Sequence, residues 1–475
     1  MLRFFLRTVS CLAWCLVRAP AADPTPAATP PTDWIDPATG HRVVRLSIEP
    51  GTASLYFNQN AYTPDGKKLI VTSPSGISTI DLATRQIDLI VPGEVRVIVA
   101  GHRTGDVYYS KRTGSDTFVY AVHVATKAIR QIAKLPRGGV SSINADETLM
   151  LGVFTEGQTG PDPSGRGRRS PAAPSGSTAA SAPTSAAASP PSGMANTSAS
   201  QPNTGGANPT FQGNYAAKWP DGTPMTYAEA KDLALHNRLL AIRQGPPQVI
   251  FTVNIATGEI KEVLKEREWI GHLQFSPADP AQIMFCHEGT WHEVDRVWLV
   301  RTDGTGLTKV HARTMNMEIA GHEFFNADGR TVWYDLQTPR GEDFWLAGYD
   351  VATAKRTWYH LSRDEWSVHF NISPDGQLFA GDGGDDEMVA HAKDGKWIYL
   401  FRPERIPDVA GVQNPDSATL IDTGRFKSER LVNLAKHNYL LEPNVSFTPD
   451  LKWIVFRSNL HGVVHTYAVE IAKSK

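Results

Sequence analysis

The chain has 475 residues, 41% of them apolar, with 12 Trp, 13 Tyr and 18 Phe, enough material to bury a substantial core. Its formal charge of −2 gives no electrostatic basis for binding nucleic acid or an anionic membrane surface. An acidic ligand would have to be held by local cations or a metal rather than by the overall field.

In chain order, the first element is an export signal. Arg3 and Arg7 precede an apolar run from Thr8 to Val17, and Ala19-Pro20-Ala21-Ala22 supplies small residues for cleavage. The run is too short to span a bilayer, so residues 1–22 read as a signal peptide, with no membrane span and a periplasmic or secreted destination. Residues 23–40, opening on a Pro/Ala/Thr stretch, read as an exposed leader. Cys11 and Cys15 fall inside the signal and leave only Cys286, a buried thiol with no disulfide partner. A second biased stretch, 156–213, is rich in Ser, Ala, Pro, Gly and Thr. It cannot bury enough apolar surface to offset the entropy of ordering, so it reads as a disordered insert.

Around that insert, one pattern recurs seven times. An apolar strand runs into a turn built on Pro, Asp and Gly, and a second apolar strand follows. The turn aspartates are Asp65, Asp106, Asp146, Asp279, Asp328, Asp375 and Asp450. Apart from two long gaps, they are about 40–50 residues apart, the length of a four-stranded propeller blade. Hairpin turns such as Asp81-Leu-Ala-Thr84 and Asp350-Val-Ala-Thr353 carry the outer strands. A β-sandwich has no such period, and two separate domains would not resume the repeat after the insert. The expected fold is all-β: one seven-bladed β-propeller over 41–155 and 214–472, interrupted by the insert. One helix is expected, over Thr226 to Ile242, lying on the outside or as a lid.

Overlaying the repeats puts His272, His322, His369 and Asn444 at equivalent starts of inner strands, with Glu442 two residues before Asn444. Equivalent positions form a ring at the central channel. Converging imidazoles with a carboxylate can bind a divalent metal or supply a neutral base. They can also simply hydrogen-bond between blades. Arg267, His287, Arg296 and Arg340 are the candidates for holding an anionic substrate. His437 either joins the cluster or lies on the surface. Gly381-Asp-Gly-Gly-Asp-Asp386 reads as a tight turn more readily than as a Ca²⁺ loop. There is no phosphate loop, dinucleotide fingerprint, nucleophile elbow or HExxH motif.

Several segments resemble the oligogalacturonate lyase family: Ile270-Gly-His-Leu-Gln-Phe-Ser-Pro277, Phe285-Cys-His-Glu-Gly289, Val294-Asp-Arg-Val-Trp298, Gly321-His-Glu-Phe-Phe325 and Ser446-Phe-Thr-Pro-Asp450. The likeness covers most of residues 40–470. It implies a seven-bladed lyase that cleaves oligogalacturonides by β-elimination and carries Mn²⁺. It also implies that His272 abstracts the proton and that His322 binds the metal, with His369 in a matching context. The family's last-blade His-Pro-His run reads Glu442-Pro-Asn444 here, and its upstream Gln position falls near Tyr439. A set of His322, His369, Glu442 and Asn444 is harder and richer in oxygen, suiting Mn²⁺ and also Ca²⁺ or Mg²⁺. The family's catalytic Arg has no clear counterpart; Arg243 and Arg267 lie nearest. The chain reads as a divergent branch acting on uronic-acid oligosaccharides. The rival reading is a non-catalytic TolB-like propeller that binds a glycan or protein partner, and a third is hydrolysis.

Overall fold

Every copy of the repeat folds as the inner hairpin of an antiparallel blade; in the first six the chain that follows supplies two outer strands, and the last blade carries a fifth strand, Asp33–Ile35. The computed structural model describes residues 30–135, 137–157, 218–290, 292–384, 396–407, 417 and 419–473. The signal peptide, residues 23–29 of the leader and all but two residues of the insert lie outside the described residues; the rest of the leader is not simply exposed chain, because Asp33–Ile35 pairs with His41–Arg45 as a strand. No helix among the described residues is long and apolar enough to cross a membrane.

Seven blades follow one another in chain order. They comprise 53–92, 96–135, 139–155 with 248–266, 269–309, 319–361, 370–433, and 446–473 with 41–45. The insert leaves the third blade between its second and third strands, which pair in register from Leu149↔Asn254 to Thr155↔Gln248. The interruption is therefore a decoration at a hairpin and leaves the ring unbroken. Closure comes from the N-terminal side: strand His41–Arg45 pairs with the C-terminal strand His465–Lys473. The last blade is thus built from both ends of the chain. Besides that fifth strand, outer strands Arg356–Leu361 and Asp422–Asn433 pair in parallel, joining the fifth and sixth blades into one eight-stranded sheet.

The core lies between neighbouring blades. Inward-facing residues alternate along each strand, so Met284 and Leu299 of the fourth blade meet Val332 and Tyr334 of the fifth. Phe251, 1% exposed, packs with Phe154 and Val253 of its own blade and Tyr108 of the second. Phe251→Ala is expected to cost about 3–5 kcal/mol of unfolding free energy, read by chemical denaturation.

The helix, α1 (Tyr227–Gln244), begins where the sequence placed it and runs two residues further. Thr226 caps it: its side chain accepts from the Glu229 backbone N–H while Glu229 Oε2 reaches back to the Thr226 N–H at 2.8 Å, a reciprocal box that satisfies two otherwise unpaired donors. Leu235 and Leu239 bury against Trp269 and Val294 of the fourth blade. The helix comes close to the blade at Gly289, where a Cβ would stand 2.9 Å from Leu239 Cδ2.

Candidate active site at the channel mouth

Three equivalent positions on the innermost chain carry left-handed backbone: His272 (φ 45°), His322 (φ 44°) and Asn444 (φ 55°). In the fourth and fifth blades the ladder register slips there, between Gly271 and Gln274 and between Gly321 and Phe324. A bulge of this kind re-aims one side chain, here toward the channel. A non-glycine residue in this region costs about 1–3 kcal/mol and persists only when its surroundings fix it. The neighbouring glycines make room: a Cβ on Gly321 would sit 2.9 Å from Asp335 Oδ1.

The bulges bring two groups of side chains together. In the first, the His322 and His369 rings meet edge to face at 4.8 Å between centroids. Each imidazole is oriented through Nδ1 by a buried aspartate: His322 by Asp335 at 3.0 Å and His369 by Asp382 at 2.7 Å. Glu442 Oε2 lies 3.8 Å from His369 Nε2. A carboxylate behind each imidazole and another beside the opposite ring nitrogen is the donor arrangement of a metal-binding histidine pair. His322, His369 and Glu442 therefore fit a hard divalent cation. Burial pushes the Asp382 carboxyl up to about 7, although backbone N–H groups of His369 and Asn444 draw it down.

Glu442 and Asn444 precede the inner strand Ser446–Phe447 rather than sharing a strand face, since Pro443 between them has no N–H to give a ladder. Asn444 is turned to the backbone. Its amide accepts from Phe57 N–H at 3.3 Å and donates to the Glu442 carbonyl at 3.0 Å. The structure thus brings Glu442 to the imidazoles and uses Asn444 to brace it.

The second group centres on His272, whose ring lies 6.3 Å from that of His322. Its Nδ1 is 3.2 Å from Glu323 Oε1, and its Nε2 is 3.8 Å from Glu288 Oε1. Arg296, 4% exposed, donates from Nε to Glu323 Oε2 at 3.1 Å and approaches Glu288 at 3.7 Å. Burial alone would raise the Glu323 pKa. The charge of Arg296, with His272 beside it, prevails and holds it ionised, well below the usual carboxylate range. Cys286 shares this side of its strand, and His272, Cys286 and Glu323 offer ligand atoms within 4.8 Å of one another. Because Arg296 already neutralises Glu323, that trio is better matched to orienting His272 than to holding a cation. Tyr56 lies between the two groups, 6.0 Å from the His272 ring and 5.2 Å from His369.

Other sequence candidates are placed elsewhere. His287 faces the opposite side of its strand and bonds Glu266 at 2.8 Å. Arg267 is exposed and donates to the Gly245 carbonyl. Arg340 pairs with Asp232 and so ties α1 to the fifth blade. Arg243 pairs with Glu268 at the end of α1. His437 is buried, bonded to Ser458 and the Leu441 carbonyl. Asp382 of the Gly-Asp segment orients His369, while Asp385 and Asp386 lie outside the described residues. Only Arg296 of the four anion-binding candidates joins the cluster.

One cation that the repeats could not flag arrives from α1. Lys231 stands one turn before Leu235 on the packed helix face. Burial brings its ammonium down to about 8, with Asp232, Arg340 and Glu288 acting on it electrostatically. Glu288, the carboxylate nearest His272 Nε2, is thus among the charges that act on Lys231.

The family model for oligogalacturonate lyase matches residues 242–475. Over these residues the chain belongs to the oligogalacturonate lyase family. The oligogalacturonide lyase of Pectobacterium atrosepticum is 26% identical over 232 residues, which is 47% of this chain and 56% of that protein. The oligogalacturonate lyase of Dickeya dadantii is 25% identical with the same coverage. The chain spans a little over half the length of these curated relatives. An oligogalacturonate lyase solved in complex with manganese superposes with a TM-score of 0.63 at 21% identity, covering 93% of this chain and 96% of that one. The oligogalacturonate lyase from Vibrio parahaemolyticus gives 0.61 at 18%, with the same coverage. These neighbours share the fold along nearly the whole chain, including the blades before residue 242.

Proposed function

We propose that this protein is a metal-assisted polysaccharide lyase that cleaves oligogalacturonides or related uronate oligosaccharides by β-elimination. One observation carries the reading: an oriented base, His272, stands beside the two-histidine-and-carboxylate cluster, with 6.3 Å between the His272 and His322 rings.

The chemistry follows from the protonation states. Ionised Glu323 fixes the ring proton of His272 on Nδ1, leaving Nε2 as the base. Contact at 3.2 Å without hydrogen-bond alignment is common in an unliganded site and tightens when substrate enters. Nε2 takes the proton from C5 of the uronate. The C5–H electrons form the C4=C5 bond, the C4–O bond breaks, and the departing sugar oxygen takes a proton. Lys231 is the donor. A divalent cation held by His322, His369 and Glu442 would neutralise the uronate carboxylate and so acidify the C5 proton. Manganese is the first candidate, because a structural neighbour carries it; calcium and magnesium suit the same oxygen-rich set. An export signal at residues 1–22 would deliver the enzyme to the periplasm or the medium, where pectin fragments are met.

The test is ultraviolet absorbance of the 4,5-unsaturated product from an oligogalacturonide, with and without chelator and added Mn²⁺. Absorbance should rise, fall with chelator and return with metal. Saturated products would mean hydrolysis, and no turnover of any uronate oligomer by folded, metal-loaded protein would leave the binding propeller. The role of Lys231 gives a separate expectation. A lysine donates only while protonated, so the rate should decline as pH rises through about 8. Lys231→Arg keeps its charge far beyond that pH, so the alkaline limb should vanish in the pH profile even if the rate is lower.

A further inference from the structure

The last blade holds a second cluster that the reaction above does not use. Arg45 pairs with Tyr467 across the strands that close the ring. His461, in the turn before the C-terminal strand, lies with its ring 6.2 Å from that of Tyr467. Trp34 stands edge-on to both, at 5.3 Å from His461 and 5.9 Å from Tyr467. Three polar atoms here are buried with no hydrogen-bond partner: Arg45 Nε, His461 Nε2 and the Tyr467 hydroxyl. Tyr467 itself is 0% exposed. Leaving buried polar atoms unmet is costly, and native proteins rarely collect several in one place.

The electrostatics explain what is lacking. Burial together with Lys436 and Arg45 disfavours the charged form of His461. Burial, Arg45 and His461 do the same for the adjacent His465. No carboxylate acts on His461, His465 or Tyr467. One cation, a hydroxyl and an imidazole thus converge with no carboxylate among them, and an anion is the group that would satisfy all three. The cluster faces the same end of the propeller as the active site, because the Arg457 N–H bonds the Pro443 carbonyl beside Asn444 and the turn carrying His461 follows directly. At the usual strand spacing it lies roughly 10–15 Å outward from the channel.

We propose that Arg45, His461 and Tyr467 form an anion subsite that takes a carboxylate of the uronate chain, with Trp34 beside the sugar ring. The identity of the ligand rests on the lyase reading; the existence of the site does not. Binding of galacturonate and, separately, of inorganic phosphate to the full chain is measured by calorimetry for the parent protein, Arg45→Gln, Arg45→Lys and His461→Ala, each checked for native thermal unfolding. His461 lies in a turn outside the strands and is only partly buried, so it provides a variant that leaves the ladder of the last blade intact. Galacturonate should bind about tenfold more weakly, or worse, in Arg45→Gln and His461→Ala, with partial recovery in Arg45→Lys. In turnover assays Arg45→Gln should raise KM for longer oligomers severalfold and leave the shortest cleavable substrate unchanged. Equal galacturonate binding in the parent, Arg45→Gln and His461→Ala would overturn the site. Binding of phosphate alone would overturn the carboxylate assignment. Absence of turnover in the parent protein would remove the lyase reading, while the calorimetric comparison would still decide the site.

Discussion

His272→Ala is expected to lower turnover of an oligogalacturonide by about 10²–10⁴-fold with little change in KM, and without loss of bound metal. The imidazole stands against an ionised carboxylate, Glu323, with 3.2 Å from its Nδ1 to Oε1, and apart from the two-histidine group. Under the proposed mechanism its loss removes the base and leaves the histidine pair in place. Glu323→Gln is the sharper companion. Glutamine keeps the shape but can offer an N–H to Nδ1, which would move the ring proton to Nε2 and silence the base. The expected signature is a large fall in kcat at unchanged KM, as for other histidine bases that lose their orienting carboxylate. Because Glu323 is 0% exposed and bound to Arg296, Glu323→Gln also leaves a buried guanidinium short of its partner. Thermal unfolding of the variant is therefore measured alongside. Normal kcat in a folded Glu323→Gln protein would remove Glu323 from the mechanism, and normal turnover in His272→Ala would remove His272.

Much of this was legible in the sequence because propellers repeat. The turn aspartates fixed the period, the period fixed which residues share a position, and shared positions predicted that His272, His322 and His369 converge. The rest came from effects with no period. Glu323, Asp335 and Asp382 each orient a histidine from within or beside a strand, and nothing in their spacing separates them from ordinary core-edge acids. Glu323 is adjacent to His322 in sequence yet serves His272 in the neighbouring blade. Lys231 enters the proposal only through α1, which folds back over the fourth blade, a placement set by Leu235, Leu239 and Trp269 that a helix pattern alone cannot give. His287 failed to join the site for a simple reason: alternation on its strand sends Cys286 and Glu288 toward the channel and His287 away. The same alternation puts Glu288 on the face of Cys286 and apart from His287.

The histidine pair leads to the second large effect. His322→Ala should reduce affinity for Mn²⁺ by more than about 100-fold, measured by metal titration of chelator-treated protein, because removing a ligand costs more than removing the group that orients one. Asp335→Asn should cost about 10–100-fold. It leaves His322 present but lets its ring turn, since the amide cannot hold the Nδ1–H as a carboxylate does. The two variants should therefore order as parent, Asp335→Asn, His322→Ala in affinity. Both should regain part of their activity at high metal concentration, whereas His272→Ala should not. The last contrast separates the two clusters: a defect of holding the cation is relieved by mass action, and a defect of the base is not. If excess Mn²⁺ rescued His272→Ala, the division of labour between the fourth-blade base and the fifth- and sixth-blade histidines would have to be reversed.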